Sequence, residues 1–217
     1  MKIKQSLSEC CSGIAVVILA AGESKRYGSP KQLADWNGDP LLLTVIKQVE
    51  SCGCLPYLAL GAHKDLIYQN DLLASYRDQV IEVENWHSGI SASIITSAQF
   101  LLSNSAIGVL FILGDQPLIG AKHIRKMLNL AEKSPEQTFC TAYKQDRSEY
   151  GVPAYFPCAS FAKLLSLKAD QGAKWLLRSE QPQVIPIESS MPLESSLLDI
   201  DEPEDLIRAK TILSGNQ

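Results

Sequence analysis

Short apolar runs alternate with longer stretches whose apolar residues recur at helical spacing. Ile14 to Ala21 is an unbroken run rich in β-branched residues that stops at Gly22, as expected of a strand buried on both faces. From Pro40 to Glu50, Leu42, Val45, Ile46 and Val49 fall on one helical face, with Gly53 as the stop. Leu55 to Leu60 predicts a second strand, Lys64 to Tyr76 a helix, Val80 to Val83 a short strand and Ser91 to Leu102 a helix. Gly108 to Leu113 is another strand, running into Gly114 and Asp115; Ala121 to Ala131 reads as helix and Thr138 to Ala142 as strand. The rhythm changes after residue 143. Polar Lys144 to Glu149 leads to a turn at Gly151-Val-Pro153, helices around Ser160 to Leu167 and Ala173 to Arg178, an apolar run Val184 to Ile187, and a last helix from Pro203.

Such alternation predicts an α/β sheet with helices on both faces, and helical crossovers make its strands mostly parallel. No repeat and no Gly-, Pro- or Ser-rich linker divides the chain. The expected organisation is a tail over residues 1–13 and a single domain over 14–213.

In open α/β sheets, ligands bind beyond the carboxyl ends of the strands. Two segments fall there. Directly after the first strand, Gly22-Glu-Ser-Lys25-Arg26-Tyr27-Gly28-Ser-Pro-Lys31 combines two glycines with three cations. Glycine lets the backbone turn tightly and approach a ligand, and successive N–H groups in such a turn can surround a phosphate. The loop is neither a Walker P-loop nor a GxGxxG fingerprint, so ATPase and NAD-dehydrogenase readings lose their main support. A merely solvated loop is the plainer alternative, disfavoured by three cations in seven residues on an acidic chain. The second segment, Gly114-Asp115-Gln116-Pro117, ends an internal strand. A carboxylate there can coordinate Mg²⁺ bridging triphosphate oxygens, although Gly-Asp before a proline is also good turn chemistry.

Leu19-Ala-Ala-Gly-Glu-Ser-Lys-Arg-Tyr-Gly-Ser-Pro-Lys31 resembles the loop of the MobA-like nucleotidyltransferases, and Gly114 to Pro117 their metal-binding motif. The Ala-Ala-Gly form with GDQP looks most like the molybdenum cofactor cytidylyltransferase branch. Three further segments agree in order: Trp86 to Ser93 with W-x-x-G-x-x-x-S, Asp170 to Lys174 with GDxGAR, and Asp199 to Leu206 with DIDTPEDL. Tyr27, Ala169, Lys174 and Glu202 depart from the family's usual Met, Gly, Arg and Thr. Tyr27 and Ala169 bear on the acceptor pocket.

The resemblance implies a Rossmann-like three-layer nucleotidyltransferase fold and Mg²⁺-dependent transfer of CMP from CTP to a molybdopterin-type cofactor, with release of pyrophosphate. It assigns the nucleotide to Leu19, Ala20, Ala21, Gly22, Lys25, Arg26, Lys31, Gly89, Ser93 and Asp115. Arg26, Lys31 and Asp115 act in the reaction, and Asp115 and Asp201 hold the metal. Gln116, Gly151, Pro153, Asp170 and Gly172 face the acceptor. Asp201 would otherwise read as a helix N-cap before Pro203, and Trp86 and His87 as packing near the acceptor pocket. A phosphate monoester is already an anionic nucleophile, so the demand is for positioning and charge stabilisation. The alternatives are nucleotidyl transfer to another phosphorylated small molecule, a maturation factor that carries the finished cofactor to a molybdenum hydroxylase, and a nucleotide sensor.

Composition narrows the setting. The 217 residues are 46 % hydrophobic and 20 % charged, with a net charge of −4. This argues against a disordered chain and against a duplex-binding protein. No apolar run approaches the roughly 20 residues needed to cross a bilayer, and no signal peptide is visible, so a cytoplasmic protein is expected; with no extended apolar surface stripe, a monomer is expected. The six cysteines form no CxxC and read as reduced thiols.

Overall fold

A computed structural model describes residues 13–145, 147–168, 172–187 and 193–215. In chain order the elements are β1 (Ile14–Leu19), β2 (Asp35–Trp36), β3 (Asp39–Pro40), α1 (Leu41–Glu50), β4 (Tyr57–Leu60), α2 (Lys64–Gln69), β5 (Val80–Glu82), α3 (Ile90–Ser103), β6 (Gly108–Leu113) and α4 (Ala121–Lys133). There follow β7 (Phe139–Ala142), β8 (Tyr150–Pro157), α5 (Phe161–Leu165), α6 (Ala173–Glu180), β9 (Gln183–Ile185), α7 (Leu193–Ser196) and α8 (Pro203–Ser214).

The seven-stranded sheet has the order β5-β4-β1-β6-β8-β7-β9. Every pair in it is parallel except β6–β8 and β7–β8. The continuous apolar run of β1 has the expected cause. Ile14, Val16 and Ile18 pack with α1 and α4 on one face, and Ala15, Val17 and Leu19 with α3, α5 and α6 on the other. Strands buried on both faces cannot alternate polar with apolar. This is the Rossmann-like three-layer fold with a mostly parallel sheet that the sequence implies. A small third cluster seats Ala209 of α8 and Ile200 against Trp36 of the β2–β3 hairpin. Parallel register places Leu19 of β1 beside Leu113 of β6 and Ala59 of β4, so three strands end together and open one cleft.

Four expectations are corrected. The Lys64–Tyr76 helix is two pieces, α2 and a 3₁₀ segment Ala74–Gln79. Asn70 divides them, its side chain accepting from the Leu72 N–H and its carbonyl from Leu73. The helix around Ser160 is a 3₁₀ turn Cys158–Ser160 followed by the short α5. Gly151-Val-Pro153 is not a turn but lies inside β8. Proline has no N–H for a ladder and is normally kept out of central strands. Here Cys140 pairs with Ala154 and Thr141 with Gly151, so Val152 and Pro153 bulge opposite no residue of β7. Finally, Cys54 is disulfide-bonded, whereas Cys52, Cys140 and Cys158 are free. Compartment arguments speak to redox milieu, not to which sulfurs the fold brings together. Among the described residues, no helix is long and apolar enough to cross a membrane.

Candidate functional site

The carboxyl ends of β1 and β6 and the start of α3 enclose a cavity of about 200 Å³. Leu19, Ala20, Ala21 and Gly22 form one wall, and Gly89, Ser93, Lys31 and Asp115 complete it. Eight of the ten residues assigned to the nucleotide therefore meet in one place, together with Gln32, Trp86, Ile90 and Gly114. A Cβ on Gly114 would crowd Ala20 Cβ at 3.0 Å. Gly89 caps α3 at φ 88°, a conformation that favours glycine, and turns the positive end of that helix to the cavity.

After β1 the chain turns at Ser24, whose φ is 58°, and closes at Gly28, whose N–H donates to Ser24 O at 3.1 Å. A 3₁₀ turn Lys31–Leu33 then points Lys31 back into the cleft. Its Nζ lies 2.6 Å from Asp115 Oδ2 and 3.0 Å from Asp201 Oδ1. Arg26, largely exposed, reaches Asp201 Oδ2 at 2.8 Å. Two cations of the loop after β1 thus converge on Asp201, which lies far along the chain. Lys25 does not join them: it is 78 % exposed and pairs with Glu23.

Burial alone would lower the Lys31 pKa, but the Asp115 and Asp201 carboxylates outweigh it and hold the ammonium above its ordinary value. For Asp201, burial works upward and is outweighed by Lys31 and Arg26, leaving its carboxyl below the usual range. Asp201 is free for this pairing because Glu202 is the N-cap of α8. Asp205 Oδ2 accepts from the N–H groups of both Glu202 and Asp201, at 2.9 and 3.1 Å. The segment is anchored from its other side by the Ile200 N–H, which donates to Asp115 O at 2.9 Å.

Beside Asp115, Gln116 is buried and donates through Nε2 to Asp199 Oδ1 at 2.7 Å. Burial among these groups, and then the Asp115 carboxylate, push Asp199 up to about 6, although one side of the residue is open to solvent. Tyr143 donates to Val152 O at 2.6 Å, and burial pushes its phenol up to about 12. Gly151 lies beneath that ring, a Cβ there falling 2.7 Å from Tyr143 Cζ. Pro153 gives its carbonyl to Thr141 Oγ1 at 2.7 Å. Gly172 meets the cavity only through Ile90, 3.2 Å from where its Cβ would be. Asp170 lies outside the described residues.

Sequence reasoning missed Gln32, Tyr143 and Asp199. Gln32 directly follows Lys31, and Asp199 opens the matched segment Asp199 to Leu206, so each stood beside an assigned residue. Tyr143 carries no local signal.

A divalent metal fits the pair Asp115 and Asp201. Asp115 Oδ1 is buried and has no hydrogen-bond partner among the described residues, a costly state for a carboxylate oxygen unless a cation meets it. No group of three or more metal-type side chains forms among the described residues.

The model of the MobA-like NTP transferase domain matches residues 16–184. A protein of Thermococcus gammatolerans named "Probable molybdenum cofactor guanylyltransferase" is 28 % identical over 195 residues, covering 87 % of this chain and 95 % of the relative. The crystal structure of Rv0371c from Mycobacterium tuberculosis H37Rv superposes with a TM-score of 0.73 at 25 % identity, covering 91 % of this chain and 97 % of that one. A structure of Rv0371C in complex with manganese shares the fold, with a TM-score of 0.70 at 24 % identity over 91 % and 98 % of the two chains. Asp201 lies beyond the matched stretch, but the loop after β1, the end of β6 and the bulged β8 all lie within it. With that stretch running from the first strand to the ninth, the protein belongs to the MobA-like NTP transferase family and is a nucleotidyltransferase.

Proposed function

We propose that the protein transfers CMP from CTP to the terminal phosphate of a molybdopterin-type cofactor, releasing pyrophosphate, with Asp115 and Asp201 holding a divalent metal, Mg²⁺ by preference. The observation that carries this reading is Lys31, held between the two carboxylates at the mouth of a cavity walled by small residues. Such a cation serves a reaction that brings two polyanions together.

The loop after β1 and the start of α3 receive the triphosphate through N–H groups and helix polarity. Arg26 neutralises its outer phosphates. Lys31 would direct its charge at the α-phosphate, and its partners Asp115 and Asp201 would hold the metal. An oxygen of the acceptor's phosphate attacks the α-phosphorus, and the bond to the β-phosphate oxygen breaks as pyrophosphate leaves with the electron pair. No general base is required, because the attacking oxygen is already anionic. The metal, when bound, supplies Lewis-acid neutralisation of the phosphate oxygens. Gln116, Gly151, Pro153 and Gly172 fall on the acceptor side, and the product would pass to a molybdenum hydroxylase.

GMP transfer from GTP is the second reading, favoured by the name of the Thermococcus relative. Pyrophosphate release is measured with Mg²⁺ and CTP, GTP or ATP, with and without molybdopterin-type cofactor. Release with CTP and cofactor only is expected. Release with GTP alone among the nucleotides would replace the base, and silence with every pair would move the reading to a different acceptor or to a carrier of the finished cofactor.

A further inference from the structure

The loop that walls the cavity has an unusual distribution of hydrogen bonds. Six consecutive carbonyls, from Leu19 to Ser24, all accept. Leu19 O takes the Gly114 N–H at 3.0 Å and Ala21 O the Ala62 N–H at 3.1 Å, so the flanking strands hold these two. Glu23 O takes the His63 ring Nε2 at 2.8 Å, and Ser24 O takes the Gly28 N–H at 3.1 Å. Ala20 O and Gly22 O, neither reached by a backbone donor among the described residues, share one side chain: Gln32 Nε2 donates to them at 3.0 and 3.2 Å. Gln32 is only 3 % exposed, so water cannot readily take its place. Its own Oε1 accepts from Ser24 Oγ at 3.4 Å. Meanwhile the N–H groups of Gly22 to Lys25 donate to no group among the described residues.

We infer that Gln32 is a positioning residue for phosphate recognition: by tying the Ala20 and Gly22 carbonyls away from the cavity, it leaves the loop a surface of donors. The reasoning is electrostatic. A peptide group turned to offer its carbonyl to a phosphate repels it, and the same group held the other way attracts it. Gly22 has nothing within 4 Å of where a Cβ would be, so packing does not hold its peptide, and the Gln32 amide does. Gln32 adjoins Lys31, whose own N–H donates to Ser24 Oγ at 3.3 Å. One short turn therefore sets both the loop's polarity and the lysine that faces the phosphates. The inference rests on the nucleotidyl-transfer reading and names a residue for it beyond the charged ones.

The test is the dependence of binding on phosphate number. Gln32→Met keeps length and volume while removing both donors. Calorimetry with Mg²⁺ on the full-length protein compares CTP, CDP and CMP, with the guanine series in parallel. The loss should grow along the series, to about tenfold for the triphosphate and less than about twofold for the monophosphate, the scale of one to two hydrogen bonds. The melting temperature should stay near that of the wild type. If Gln32→Met does not fold, Gln32→Glu, which keeps the side chain's shape, is expected to give the same ordering. Equal loss for tri-, di- and monophosphate, or no loss at all, would overturn the inference while leaving the transferase reading intact. Wild-type protein that binds no nucleotide would overturn both.

Discussion

Between Ala20 and Lys31, one continuous stretch of chain builds the wall of the cleft, whereas the region around Gln116 is gathered from pieces. Gln116 follows β6, Tyr143 follows β7, Gly151 lies in β8, and Asp199 and Asp201 precede α8. The continuous wall is held mainly by backbone hydrogen bonds to the flanking parallel strands and by Gln32. The gathered region depends on the antiparallel insertion of β8 beside β6 and on the docking of the carboxyl-terminal segment, by the Ile200 N–H bond to Asp115 O and the packing of Ile200 and Ala209 around Trp36. A loop at the end of a buried parallel strand is positioned by that strand. A region drawn from several segments is positioned only once the whole sheet exists. Lys31 joins the two, because its partners Asp115 and Asp201 come from the second region.

The strongest way to break this division is at that junction. Lys31→Met should lower kcat about 10²- to 10³-fold, the scale of one lost transition-state charge contact, with a smaller change in KM for the nucleotide. Asp201→Asn should also reduce turnover. Pyrophosphate release by the double variant should fall well short of the product of the two single losses, as for partners in one network. Additive losses would mean that the two regions act independently.

Gly151→Ala sharpens the comparison by disturbing only the gathered region. The new Cβ would lie 2.7 and 2.8 Å from Tyr143 Cζ and Oη, so the ring must move and its 2.6 Å bond to Val152 O is strained or lost. Overpacking of this kind costs about 1–3 kcal/mol, a drop of several degrees in Tm for a chain of this size. Calorimetry should find CTP affinity unchanged and the KM for the acceptor raised. A weakened CTP affinity would contradict the separation.

The smallest effect tests how the elements beneath the gathered region are tied together. Glu180 of α6 accepts from Lys163, Ser160 and Thr138 at 2.6, 2.9 and 3.3 Å. Burial alone would raise its pKa, but these donors outweigh it and hold the carboxyl below its ordinary 4.5. A depressed folded value means that the stabilisation is present above 4.5 and is lost as pH falls through the lower folded value. Glu180→Gln should therefore lower stability by about 1 kcal/mol at pH 7, and the difference in Tm from the wild type should shrink as pH falls below 4.5 and through the lower folded value. A difference that persisted at pH 3 would make the contact steric rather than ionic.

The order of strands and helices through α4 was legible because each buried strand is a compact apolar run and each crossover helix shows its own period. The loop after β1 was legible for a related reason: its glycines and cations lie within one short segment whose place at a strand end follows from that order. What stayed hidden has a different physical origin. The bulge that admits Pro153 to β8 depends on a two-residue slip against β7, a property of two strands together. The Cys54 disulfide likewise depends on proximity. Gln32 is an unremarkable polar residue in a loop until two carbonyls are seen to share its amide. Asp201 stands where a helix cap was the plainer alternative, and it is a partner of Lys31 because Glu202 and Asp205 cap α8 in its place. By itself the sequence determined the layers, the family resemblance and the loop, since these rest on local pattern. Tertiary structure alone decided which carboxylates face Lys31 and which side chain orients the loop, because hydrogen bonds and ion pairs between residues far apart in the chain exist only after the sheet has brought them within reach.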